Sequence, residues 1–196
     1  MTLPDTADWP ATVPLQVRRA YAAMQPLYSS QQVEHAVDQL AVRLTVALQQ
    51  TDPVIVTVLH GGLALSGMLQ RRLAFACQFG YVQVASYGAH TSPGELNWGG
   101  FDVPDLNNRT VLLVDDILDR GQTLAALKTW AAEQGATDVQ AAVLIQREDP
   151  QRQQLAGAEY FALQAGPGFL LGCGMDIAGY GRNLSAIYQL PEDFVL

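Results

Sequence analysis

The segment Val111-Leu112-Leu113-Val114-Asp115-Asp116-Ile117-Leu118-Asp119-Arg120-Gly121-Gln122-Thr123 constrains this chain more than any other. Its first four residues are apolar without a break, which suits a strand covered on both faces in a parallel sheet. The strand is expected to begin at Thr110 and to end where Asp115 and Asp116 begin. Asp119 follows, then Gly121 turns the chain into a helix expected from Thr123 to Gln134, with Gly135 closing it. Open α/β sheets bind ligands outside the carboxyl ends of their strands. A Gly turn before a helix presents backbone N–H groups to an anion, aided by the helix dipole, and Thr123 adds a hydroxyl. The turn is therefore expected to hold a phosphate, and the acids to face sugar-like hydroxyls or a hard cation such as Mg²⁺.

Further strands and helices follow along the chain, without an internal repeat. Val54 to Leu59 (VIVTVL) reads as another buried strand, followed at once by His60-Gly61-Gly62 and an apolar helix from about Leu63 to Leu73. Tyr81 to Ser86 and Val139 to Ile145 read as further strands. Gly88 to Gly100 reads as a long loop, of the kind that is usually functional. Upstream, Gln16 to Met24 forms a short helix. Ser29 and Ser30 then cap a second helix, with Glu34 near the capping-box position. Its apolar stripe is Val33, Val37, Leu40, Leu44 and Ala47, and Asp52-Pro53 ends it. The order predicts an α/β fold: a mainly parallel twisted sheet flanked by helices. One domain over 1–196 is expected, with a core at about 29–158. The segments at about 10–28 and 159–196 are expected to form a small cap over the strand ends.

Composition removes several classes. Eleven basic against nineteen acidic residues give a net charge of −8, which argues against nucleic acid held by a broad basic face. The two cysteines, Cys77 and Cys173, read as separate, part-buried thiols. Met1 to Pro10 lacks the basic and apolar regions of a signal peptide, and no apolar run approaches the ~18 residues of a membrane span. The expected compartment is the cytoplasm. GxxxxGK[ST] and HExxH are missing, and no complete GxGxxG follows a strand, so His35 and His90 read as bystanders.

The Val111–Thr123 pattern resembles the phosphoribosyl-diphosphate (PRPP) signature of the type I phosphoribosyltransferases. From roughly Val54 onward the chain is similar to their hypoxanthine–guanine branch. His60-Gly61-Gly62 stands where that branch carries its diphosphate turn. Ser86-Tyr87 resembles the start of its mobile catalytic lid, and Val143-Leu144-Ile145-Gln146-Arg147 its strand ending in a purine-reading lysine. Phe169-Leu170-Leu171-Gly172, Met175-Asp176 and Arg182-Asn183 are similar to its base-stacking, metal and diphosphate segment.

The resemblance implies a purine-salvage enzyme that moves a ribosyl 5-phosphate from PRPP to N9 of a 6-oxopurine and releases diphosphate. It implies Mg²⁺ as cofactor, small-molecule partners only, and a homo-oligomer (dimer or tetramer). The implied roles are as follows. Asp119 is the catalytic base. Asp115, Asp116, Asp119, Arg120, Gly121, Gln122 and Thr123 hold the ribose and 5′-phosphate. His60, Gly61 and Arg182 face the diphosphate. Arg147, Phe169, Leu170 and Asp176 surround the base, and Asp115, Asp116 and Asp176 stand near the metal. Plain structural readings remain beside these: Phe169 as core, Asp176 as a turn acid, Arg182 as a surface ion-pair partner, Tyr87 as a loop anchor. Arg147 in place of lysine and Ile177 in place of an aromatic depart from the branch and leave the choice among hypoxanthine, guanine and xanthine open. Transfer to another base, or a non-catalytic nucleotide sensor on the same fold, are the alternatives.

Overall fold

The computed structural model describes residues 9–85, 97–148 and 156–195. The chain begins with α1 (Leu15–Ala23), β1 (Gln25–Tyr28) and α2 (Ser30–Leu48). It continues through β2 (Val54–Leu59), α3 (Leu63–Gln70), β3 (Gln78–Ala85), β4 (Asn97–Asp102), β5 (Thr110–Leu118), α4 (Gln122–Glu133) and β6 (Asp138–Arg147). The last elements are β7 (Tyr160–Ala165), β8 (Leu170–Leu171) and β9 (Ile187–Gln189).

Six strands form one sheet in the order β4-β3-β2-β5-β6-β7, parallel except for the edge strand β4. Side-chain alternation along the central strands supplies two cores. Ile55, Leu112, Val114, Ala142 and Leu144 point to one face and meet Val33, Val37, Leu40 and Leu44 of α2 with Leu65 and Leu69 of α3. Val54, Val56, Val58, Val111, Leu113, Ala141 and Val143 point to the other face and meet Leu124, Leu127 and Ala131 of α4. The expected covering of both faces is what these strands show.

Local signals explain the helices. Ser29 caps α2, its Oγ accepting from the Gln32 amide at 3.3 Å while Gln32 Oε1 accepts from the Ser29 amide at 2.9 Å. This capping box contributes about 1 kcal/mol. Its partner is Gln32, at the third helical position, and not Glu34, which lies too far along to reach back.

Four differences from the sequence reading matter. Residues 97–102 are a strand, not the end of a loop, and pair antiparallel with β3. β7 joins the large sheet beside β6, so the sheet runs to Ala165, past the expected end near 158. β1 is an extra strand that pairs with β9 and, through it, β8 in a separate three-stranded sheet. Around this sheet, α1 and the tail share a core of Val17, Ala20, Leu171, Ile177, Leu184 and Tyr188, as expected for segments that pack together. Finally, β5 carries Asp115 and Asp116 within it rather than stopping before them. Its pairing with β6 continues to Leu118–Gln146, while its pairing with β2 stops at Thr57–Val114. Cys77 and Cys173 are both free thiols.

Candidate active site

The strand order reverses between β2 and β5, because the chain adds β3 on one side of β2 and β5 on the other. Such a switch point opens a crevice at the carboxyl ends of the two strands. Here the β2 end turns through His60-Gly61-Gly62, across a cis Leu59–His60 peptide. The β5 end presents Asp115 and Asp116. The turn packs so closely that a Cβ on Gly61 would collide with the Asp116 carboxylate, and one on Gly62 with the Val114 carbonyl. A third segment closes in from the tail, where a Cβ on Gly174 would collide with the Gly61 carbonyl. Gly61→Ala is therefore expected to destabilise the fold by about 1–3 kcal/mol through overpacking, read by urea denaturation. An unchanged midpoint would show that the turn has room to give.

Past Leu118 the chain enters the expected anion turn. Gly121 has φ +74, the left-handed region that favours glycine, and a Cβ there would strike the Ala156 carbonyl. No side chain caps α4, whose first backbone bond runs from the Ala125 amide to the Gly121 carbonyl at 2.8 Å. The amides of Gln122, Thr123 and Leu124 thus precede the helical ladder, as an anion site at a helix start requires. The helix starts one residue before the expected Thr123. Asp119, Arg120 and Gln122 are exposed on this turn, and Thr123 is half-buried.

The two strand-end acids are not the solvent-facing pair that their position suggests. Both are half-buried, and the Asp116 side chain is 13% exposed. Asp115 Oδ1 accepts from the Asp116 amide at 2.9 Å, and Asp116 Oδ1 from the Ile117 amide at 2.8 Å. Burial pushes the Asp115 carboxyl well above the usual range, and the neighbouring Asp116 charge pushes it further. Burial also raises Asp116, against the opposing pull of its hydrogen bonds and of Arg182. The folded chain therefore holds protons that the unfolded chain has lost. This pair stabilises the fold below the ordinary carboxylate value, about 4, and that contribution fades as pH rises through the raised folded values. Asp115→Asn is expected to raise the melting temperature of the ligand-free protein near pH 7 and to flatten its pH dependence. Parallel melting profiles from pH 4 to 8 for the two proteins would contradict this.

Arg182 binds the tail to this centre. Its guanidinium pairs with Asp176 Oδ1 at 2.5 Å, donates to the Gly174 carbonyl at 2.5 Å, and lies 4.0 Å from Asp116 Oδ2. Asp176 Oδ2 accepts from the Gly179 amide at 2.6 Å. Asp176 and Arg182, assigned separate roles from the sequence, are thus each other's partners here. Two cavities adjoin this pair, one lined by Asp176 and the other by Arg182. One of about 450 Å³ is lined by Asp116, Asp119, Arg147, Phe169, Leu170 and Asp176, together with Met175. The other, about 560 Å³, is lined by His60, Leu63, Ala64, Gly174, Arg182 and Asn183. The residues expected around a base thus meet in the first cavity; of those expected at a diphosphate, His60 and Arg182 line the second and Gly61 does not.

Arg147 is engaged in a way its sequence position does not announce: its terminal nitrogens donate to the Gly166 carbonyl at 2.6 Å and to the Gly168 carbonyl. Gly174 and Gly168 were not singled out by sequence, although both lie in a tail rich in glycine. Ser86 and Tyr87 lie outside the described residues. Among the described residues, no helix is long and apolar enough to cross a membrane.

Comparison with known proteins supports the same outline. A hypoxanthine-guanine phosphoribosyltransferase of Streptococcus pneumoniae is 29% identical over 168 residues, spanning 85% of this chain and 93% of its own length. One from Streptococcus mutans is 28% identical over the same span. A crystal structure of a hypoxanthine-guanine phosphoribosyltransferase from Bacillus anthracis superposes with a TM-score of 0.79 at 26% identity, covering 86% of this chain and 99% of that one. A hypoxanthine phosphoribosyltransferase from Staphylococcus aureus gives 0.80 at 24% identity, with 87% and 94% covered. The mainly parallel sheet with its flanking helices is accordingly the type I phosphoribosyltransferase fold. The model of the phosphoribosyl transferase domain matches residues 25–174, from β1 through the Gly174 that packs against the His60-Gly61-Gly62 turn, and the chain belongs to that family.

Proposed function

We propose that this chain transfers the ribosyl 5-phosphate of PRPP to N9 of hypoxanthine or guanine and releases diphosphate. One observation carries the reading: a single cavity brings the turn acid Asp119 together with the Phe169–Leu170 wall and Arg147, beside Asp116 of β5. The names of the Streptococcus and Bacillus relatives point the same way. In this reading the amides at the start of α4 and the Thr123 hydroxyl hold the 5′-phosphate, while Asp115 and Asp116 bind the ribose hydroxyls. The base packs on Phe169. As N9 bonds to the anomeric carbon and the bond to diphosphate breaks, Asp119 accepts the proton that the purine loses. Diphosphate leaves toward His60 and Arg182, whose planar fork suits phosphate oxygens.

Asp115 and Asp116 also suit Mg²⁺, which is commonly held by one or two carboxylates together with substrate phosphates. Their buried, mutually repelling charges are what a cation would offset. When bound, Mg²⁺ would stabilise the negative charge of the departing diphosphate. The test is incubation with PRPP, Mg²⁺ and hypoxanthine, followed for IMP and diphosphate. Absence of both products, with hypoxanthine and with guanine, would overturn the reading.

A further inference from the structure

The link between β7 and β8 is Gly166-Pro167-Gly168, and its two glycines give the loop little conformational preference of its own. Each of its three successive carbonyls is nevertheless met by a side-chain donor from another strand. Arg147, at the end of β6, donates through Nη1 to Gly166 O at 2.6 Å and through Nη2 to Gly168 O. Gln189, at the end of β9, donates through Nε2 to Pro167 O at 3.0 Å. Gly168 has φ +123, and a Cβ on it would collide with the Gln189 amide nitrogen. Gly166 and Pro167 are exposed, so water could satisfy their carbonyls. The side-chain donors are therefore not needed for solvation, and what they contribute is position. The next residues, Phe169 and Leu170, form a wall of the 450 Å³ cavity that Asp119 also lines. Phe169 O in turn accepts from the Leu190 amide at 2.9 Å, one residue beyond Gln189.

We propose that Arg147 and Gln189 are positioning residues that grip the Gly166–Gly168 loop from two sheets and so fix the Phe169–Leu170 wall against which the base packs. The base as occupant rests on the proposed function; the grip itself does not. Arg147 thereby shapes the base pocket through the loop as well as by lining it. Gln189, in the strand farthest along the chain, becomes a determinant of base affinity without itself lining the cavity.

The test pairs Gln189→Leu, which keeps bulk and removes the donor, with Arg147→Lys, which keeps charge and removes the fork. Hydrogen–deuterium exchange on the ligand-free protein should quicken over residues 166–171 in both variants and stay unchanged over β2. In Gln189→Leu the KM for hypoxanthine should rise about 3- to 10-fold, the usual effect of losing one hydrogen bond, with kcat and the KM for PRPP unaltered. A merely structural role would not separate the two KM values. In the double variant the effects on base KM should fall short of the product of the single effects, since both donors restrain one loop. Unchanged exchange in both variants overturns the grip. Quickened exchange with unchanged base KM overturns its link to the pocket. If Gln189→Leu does not fold, Arg147→Lys decides by the same exchange readout. A wild-type protein that transfers to no purine refutes the proposed function alone, while the exchange result still judges the grip.

Discussion

Asp119→Asn is expected to lower kcat by about 10²- to 10⁴-fold, the usual contribution of a positioned general base. PRPP affinity should change little. The asparagine keeps the shape of the side chain on the exposed turn between β5 and α4, and the backbone amides proposed to hold the 5′-phosphate are untouched. What is lost is the capacity to accept a proton within the cavity that Asp119 shares with Phe169 and Arg147. The measurement is steady-state IMP formation beside PRPP binding by calorimetry. A fall in kcat and kcat/KM together, with PRPP binding intact, identifies an interaction made only as the bond forms. Turnover near that of the wild type would remove Asp119 from the reaction.

The second large effect concerns the choice of base. A 6-oxopurine presents an acceptor at position 6, and adenine presents an amino donor. Arginine carries N–H donors only and stays protonated at any working pH. Two of the Arg147 nitrogens already donate to Gly166 and Gly168, and whichever N–H groups face the cavity, none can accept from adenine. The mismatch leaves polar groups unpaired, which in a closed site discriminates by about 10⁴-fold in kcat/KM. Hypoxanthine or guanine should thus be used and adenine should not. Arg147→Met should lose activity with 6-oxopurines more than affinity for PRPP. Adenine as the better substrate of the unaltered protein would overturn both the base assignment and the role of Arg147.

Much of this arrangement was legible because it is local. Val54–Leu59 announces itself by composition, and the buried run before Asp115, with the Gly turn after it, marks both the strand and the start of α4. Other parts depend on distant partners. β1 is only Gln25-Pro26-Leu27-Tyr28, and it becomes a strand by pairing with β9 more than a hundred residues later. β4 reads Asn-Trp-Gly-Gly-Phe-Asp, poor in strand formers, and is held at the sheet edge by β3. β5 passes through its two acids because β6 continues to pair with it after β2 has turned away. The burial of Asp116 follows from the Gly61 turn and Gly174 packing against it, which no local pattern encodes. The partners of Arg147 and Gln189 are backbone carbonyls, and these are the same in every residue, so the sequence carries no mark of them.

The raised acid pair has a consequence for any attempt to improve this protein by selection. Two carboxylates kept close together and away from water are a standing weakness of the empty chain. Neutral replacements at Asp115 or Asp116 are therefore among the changes that a screen for heat resistance alone would enrich, as happens where function occupies an unfavourable arrangement. Clones gathered that way would be hardier and would have surrendered the groups proposed to meet ribose and cation. A hardening campaign should hold positions 115 and 116 fixed and look for its gains on faces remote from the β2–β5 crevice.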